Sequence, residues 1–94
     1  MVNIMVQVRR PELSNVEKLI LKLLSENEAL TIGEVCRKLK AELGDEYDYE
    51  EVIEAIDMLE NSALITRNGK WSFKDKLKLT DRGKRILEMI KHDG

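Results

Sequence analysis

Two segments of this 94-residue sequence concentrate charge of opposite sign. Between Thr66 and Arg82 stand Arg67, Lys70, Lys74, Lys76, Lys78 and Arg82 against only Asp75 and Asp81, a net of +4. Ammonium and guanidinium groups at that density, with the amide of Asn68 among them, suit a row of phosphates, because an ionised donor on an anionic oxygen makes a short, strong hydrogen bond. A smaller basic group, Arg37, Lys38 and Lys40, lies upstream. The plain alternative is a solvated hairpin whose lysines stop its edge from pairing with other chains. From Asp45 to Glu60 the sign reverses. Asp45, Glu46, Asp48, Glu50, Glu51, Glu54, Asp57 and Glu60 are eight of the chain's 18 acidic residues, with no Lys or Arg among them. Glu50, Glu51, Glu54 and Asp57 could face a basic partner protein. Carboxylates also favour helix N-termini, which accounts for Glu50 and Glu51 better than for Asp57 and Glu60.

Other reactive residues carry less. Cys36 is the single cysteine, which excludes an internal disulfide and a thiolate metal site; its spacing puts it on an apolar helix face as a small core residue. His92 is a lone histidine in a C-terminal tail. Asp45, Glu46 and Asp48 lack the ligand spacing of a calcium loop. Ser, Thr, His and Asp form no catalytic arrangement, so the chain reads as neither an enzyme nor a cofactor or metal protein. A net charge of −2 and a pI near 5.5 argue against a non-specific nucleic-acid coat. No apolar run is long enough to cross a bilayer, and Met1–Val8 lacks the basic start of a signal peptide. A cytoplasmic protein without membrane contact follows by elimination.

Positioning these groups falls to elements the sequence marks clearly. Asn3–Arg9 alternates, with Ile4, Val6 and Val8 on one side, as a half-buried strand does, and Pro11 ends it. Ser14 and Glu17, then Thr31 and Glu34, have capping-box spacing. The first box opens a helix over 15–26 with Val16, Leu19, Ile20, Leu23 and Leu24 as its apolar stripe. Ala29-Leu30 is extended. The second box opens a helix lined by Ile32, Val35, Cys36, Leu39 and Leu43 and stopped at Gly44. Asp48 caps a third, with Glu51 in the third position and Tyr49, Val52, Ile53, Ile56 and Leu59 facing inward. Ala63–Arg67 is extended, and Asn68-Gly69 predicts a two-residue type I′ hairpin returning through Lys70-Trp71-Ser72-Phe73-Lys74. Lys76–Leu79 is either more strand or loop. Trp71 and Phe73 share a face of that strand, where they could stack on a base or, the reading adopted, pack beneath the hairpin. Thr80 caps a last helix carrying Ile86, Leu87 and Ile90. Charge makes up 36% of the chain and aromatics 4%, so one modest aliphatic core in one domain is expected.

Three passages in this order resemble the winged helix-turn-helix domain of bacterial and archaeal transcriptional regulators of the broad MarR, PadR and ArsR kind. They are Leu30-Thr31-Ile32-Gly33-Glu34-Val35, the run from Ala55 to Ile65, and Leu79-Thr80-Asp81-Arg82-Gly83 through Leu87. The second departs from the family pattern at Ala63, where glycine is frequent. The resemblance implies a mainly α fold with a small β-sheet (α+β): an N-terminal arm over 1–11, a winged-helix core over 12–79, and a C-terminal helix and tail over 80–94. It further implies double-stranded DNA as partner, contacted through the wing and second helix by Arg37, Lys38, Lys40, Arg67, Asn68, Lys70, Lys74, Lys76 and Lys78. The third helix, which such domains usually set in the major groove, is too acidic here for ordinary insertion to be assumed, so the wing is expected to carry most of the binding. A homodimer is expected through Asn3–Arg9 and Asp81–Lys91. The second reading is a protein-interaction module that docks acidic Glu50, Glu51, Glu54 and Asp57 on a basic protein without touching DNA.

Overall fold

The computed structural model describes residues 12–69 and 72–93. The N-terminal arm expected over Asn3–Arg9, and Lys70 and Trp71 of the hairpin, lie outside the described residues. The elements follow as α1 (Asn15–Glu26), β1 (Leu30–Thr31), α2 (Ile32–Leu43), a single 3₁₀ turn (Gly44–Glu46), α3 (Tyr49–Asn61), β2 (Ile65–Asn68), β3 (Lys76–Leu79) and α4 (Asp81–Asp93). The strands make one antiparallel sheet in the order β1-β3-β2. This is the winged-helix architecture, α+β, with β2 and β3 as the wing. Among the described residues no helix is long and apolar enough to cross a membrane.

Helix starts follow the side chains that cap them. Ser14 Oγ accepts from Glu17 N at 3.1 Å while Ser14 N donates to Glu17 Oε1 at 2.7 Å. Thr31 and Glu34 repeat the exchange at 3.1 and 2.8 Å; the Thr31 amide holds the Glu34 carboxyl below its ordinary pKa. Asp48 caps α3 more simply, accepting from Glu50 N at 3.0 Å. Glu51 completes no box there.

The core is aliphatic and centred on α1, which packs against α2, α3, α4 and β3. That encirclement explains a difference from the single-stripe expectation. Leu21 is fully buried beside Val16, Ile20 and Leu24, while Leu19 and Leu23 are only partly covered. From α3 the buried set is Val52, Ala55, Ile56 and Leu59; Tyr49, expected inside, is exposed. Cys36 is buried, and burial pushes its thiol pKa up. The Tyr47 hydroxyl that hydrogen-bonds to it is pushed up to about 12, chiefly by its own desolvation, so this pair stays un-ionised near neutrality and serves packing.

The turn from α3 into the wing decides where the wing points. Leu64 N donates to Leu59 O at 2.9 Å and Ala63 N to Glu60 O at 3.0 Å, the paired bonds of a Schellman ending. That ending needs a left-handed residue, and Ala63 supplies it at φ 62°. The glycine of the family pattern is absent from the position whose backbone calls for one. The carbonyls freed by the turn are taken by the start of α4. Thr80 Oγ1 donates to Ala63 O at 2.6 Å, Thr80 N to Leu64 O at 3.1 Å and Arg82 Nε to Ser62 O at 3.1 Å. Thr80 Oγ1 also accepts from Gly83 N at 2.9 Å, capping α4. A Cβ at Gly83 would overlap the Leu64 carbonyl oxygen, so only glycine allows this approach.

Two substitutions at this turn should move stability in opposite directions. A left-handed non-glycine residue costs about 1–2 kcal/mol, partly offset by the extra entropy glycine loses. Ala63→Gly should therefore raise stability by about 0.5–1 kcal/mol, a melting temperature about 3–6 °C higher. Gly83→Ala should lower it by about 2–3 kcal/mol, because a backbone carbonyl must give way. Thermal melts followed by circular dichroism measure both.

Candidate nucleic-acid interface

The strand register sorts the wing side chains. β2 and β3 pair Ile65 with Leu79, Thr66 with Lys78, Arg67 with Leu77 and Asn68 with Lys76. Because strand residues alternate between faces, Ile65, Arg67, Leu77 and Leu79 turn inward. Thr66, Asn68, Lys76 and Lys78 form the exposed outer face. Lys74 is exposed in the loop.

That loop is not the two-residue turn expected at Asn68-Gly69. Asn68 is the last residue of β2, opposite Lys76, without the positive φ that a type I′ turn requires. The returning strand is Lys76–Leu79, and Ser72–Lys74, expected within it, lies in the loop. The cause is Asp75, 5% exposed. Its carboxylate accepts from Ser72 N at 3.0 Å and from Arg67 Nη1 at 3.3 Å. Its carbonyl accepts from Ile32 N at 2.9 Å, and the Phe73 carbonyl from Gly33 N at 3.0 Å. Gly69 (φ 137°) serves this same group, since a Cβ there would collide with the Asp75 carboxylate.

Arg67 completes the lock. Nε donates to Glu60 Oε1 at 3.2 Å, and Nη1 to Gly69 O at 3.2 Å as well as to Asp75. One guanidinium thus joins the end of α3 to both sides of the wing loop, a task for Arg's planar fork and not for a lysine point charge. The sequence grouped Arg67 with the outward cations; the structure places it inside, 13% exposed. Glu60, half-buried on Arg67, likewise leaves the acidic face.

The remaining residues fall on three surfaces. Glu50, Glu51, Glu54 and Asp57 are exposed along α3, with Met58 and Asn61. Arg37, Lys38 and Lys40 are exposed on α2 but diverge. Lys38 borders a groove of about 120 Å³ against α1, with Leu19, Lys22 and Leu23. Arg37 follows Gly33 by one turn, on the side that meets the wing loop. Phe73 does not pack beneath the wing: it is 56% exposed, its ring 5.9 Å from that of Tyr49. A wider hollow of about 580 Å³ between the end of α1, β3 and α4 mixes Lys78, Lys84 and Lys91 with Glu26, Glu28 and Glu88, and so favours neither sign. Among the described residues no His, Cys, Asp and Glu cluster could hold a metal. The first three amides of α2 are taken by Asp75, Phe73 and Thr31, so they are not open to an anion.

Comparison with known proteins agrees with this architecture. No family model matches the sequence, and no curated protein matches it. Among solved structures the chain is similar to RosR from H. salinarum, with TM-score 0.78 and 23% identity over 89% of this chain and 76% of that one. It is similar to a MarR-family transcriptional regulator from Silicibacter pomeroyi, with TM-score 0.67 and 21% identity over 82% of this chain and 49% of that one. It is also similar to MepR, a transcription regulator of the Staphylococcus aureus multidrug efflux pump MepA, with TM-score 0.70 and 19% identity over 86% and 57%. The chain spans about half the length of the latter two. At these identities the likeness establishes the fold.

The lock and the outer face make distinct predictions. Arg67→Ala leaves a buried carboxylate without its guanidinium and should cost about 2–3 kcal/mol in chemical denaturation. Lys76→Ala or Lys78→Ala, on the open face, should change stability by less than about 0.5 kcal/mol.

Proposed function

We propose that this chain is a DNA-binding transcriptional regulator that contacts duplex DNA mainly through its wing. The observation that carries this reading is the outer face of β2 and β3. There Lys76 and Lys78 stand in register beside Asn68 and Thr66, with Lys74 next to them in the loop, and none of the described β2 and β3 residues is a carboxylate. Its donors suit phosphate oxygens, which set register and affinity in such complexes. Lys70 is part of the same segment of the sequence, and Arg37 and Lys40 of α2 are the further cations assigned to DNA. Arg67 acts by holding the wing, and Lys38 lies apart from it. The names of the similar structures, transcription regulators of the MarR family and MepR, support the reading. A homodimer through α4 belongs to it: Met89 is exposed and Ile90 only partly covered there, leaving apolar surface for a second copy.

The second reading, a module that docks α3 on a basic protein, is favoured by the exposed Glu50, Glu51, Glu54 and Asp57 with Met58 beside them. Charge reversal at Glu54 and Asp57 separates the two. It would abolish partner capture under that reading, and leave DNA affinity unchanged or higher under the first.

Fluorescence anisotropy with a labelled duplex, titrated between about 50 and 200 mM salt, tests the proposal. Binding should weaken steeply with salt, because each phosphate neutralised contributes about 0.9 to the slope of log K against log salt. Replacing Lys74, Lys76 and Lys78 together by alanine should lower that slope by up to about 2.7. Absent binding at low salt, or binding that salt does not weaken, would refute it.

A further inference from the structure

Four large apolar side chains stand exposed among the described residues, and two of them, Tyr49 and Phe73, touch. With Ile32, Ile53 and Ser72 they line a notch of about 90 Å³. That exceeds the roughly 30 Å³ of one water molecule and falls far below the 300 Å³ or so that encloses a whole small molecule. Both walls are held in place. The Phe73 carbonyl is tied to Gly33 N at the start of α2, and Tyr49 is the first residue of α3, directly after the cap Asp48. The notch therefore stands on anchored backbone, and its two exposed rings extend the apolar surface of Ile32 and Ile53 outward from the core.

Its surroundings select the occupant. Asp48 and Glu50, the exposed chain neighbours of Tyr49, put negative charge close by that disfavours a phosphate in the notch. Lys74 flanks Phe73, and Arg37 lies one helical turn beyond Gly33, so phosphates are welcome nearby. An uncharged apolar group displayed between phosphates is what the thymine C5 methyl presents in the major groove, where apolar side chains are its usual partners. Glu50 beside it can accept from an exocyclic amino group of cytosine on the same groove edge. We infer that the Tyr49–Phe73 notch is a base-reading site that takes the thymine methyl of duplex DNA. This rests on the DNA-binding reading above. It gives the start of acidic α3 a role at base edges, where a carboxylate is tolerated, while the wing lysines hold the backbone.

The test compares duplexes selected from a random pool for binding to the full chain with the same duplexes carrying deoxyuridine in place of thymidine, which removes only the methyl. The full chain should bind the deoxyuridine duplexes about fourfold more weakly per contacted thymine, the value of one buried methyl-sized group. Phe73→Ala and Tyr49→Ala, whose side chains are exposed and leave the core intact, should bind both kinds equally, at the full chain's affinity for deoxyuridine. Their salt slopes should be unchanged. Equal binding of both duplexes by the full chain with a normal salt slope would overturn this site and leave the wing reading standing. Retained discrimination by both variants would overturn it as well. No duplex binding at any salt would overturn both.

Discussion

A single buried carboxylate governs how the wing sits on the helices. Asp75 has 5% of its surface exposed, and an ionised carboxylate in that position is tolerated only if it is paired and hydrogen-bonded. Arg67 and the Ser72 amide meet that demand, and in doing so they draw the loop closed and set Gly69 against the carboxylate. The Asp75 carbonyl then satisfies the first amide of α2. One residue thereby couples the wing to α2 directly and to α3 through Arg67 and Glu60. The outer lysines of β3 are presented by a hairpin whose base is fixed to the helices.

A second junction fixes the other end of the wing. The Schellman ending at Leu59–Leu64 turns the chain from α3 into β2, Thr80 and Arg82 donate to the carbonyls it exposes, and Gly83 leaves room for the Leu64 carbonyl. The L-T-x-x-G passage is thus a set of partners for backbone groups sixteen to twenty residues earlier in the chain. Ala63 holds the left-handed position at a cost that glycine would not incur. The fold tolerates this because the aliphatic core around α1 is continuous beneath it.

Charge is divided between surfaces in a way that its sum hides. Overall the chain is weakly acidic, yet the carboxylates that matter for the wing, Asp75 and Glu60, are spent on Arg67. What remains outward on β2 and β3 is lysine, with amide and hydroxyl groups. Four exposed carboxylates, Glu50, Glu51, Glu54 and Asp57, follow one another along α3.

The helices were legible in the sequence because their determinants are local. Ser14 with Glu17 and Thr31 with Glu34 are capping boxes within four residues, Gly44 ends α2, and the apolar spacing of Val16, Ile20 and Leu24 belongs to one helix. The motif order from Leu30 through Leu87 carried the winged-helix architecture for the same reason. The wing was another matter. Asn68-Gly69 is a strong local turn signal, but a longer loop wins because Asp75 finds Arg67 eight residues away and Ile32 across the fold. No window around Asn68 contains that competition. Tertiary packing also decided that Leu21 is buried, since α1 is covered on more than one side, and that Tyr49 stands outside against Phe73. The cationic segment from Thr66 to Arg82 is plain in the sequence. That Arg67 serves the structure while Lys74, Lys76 and Lys78 face solvent follows from strand register and a buried partner, which only the folded chain supplies.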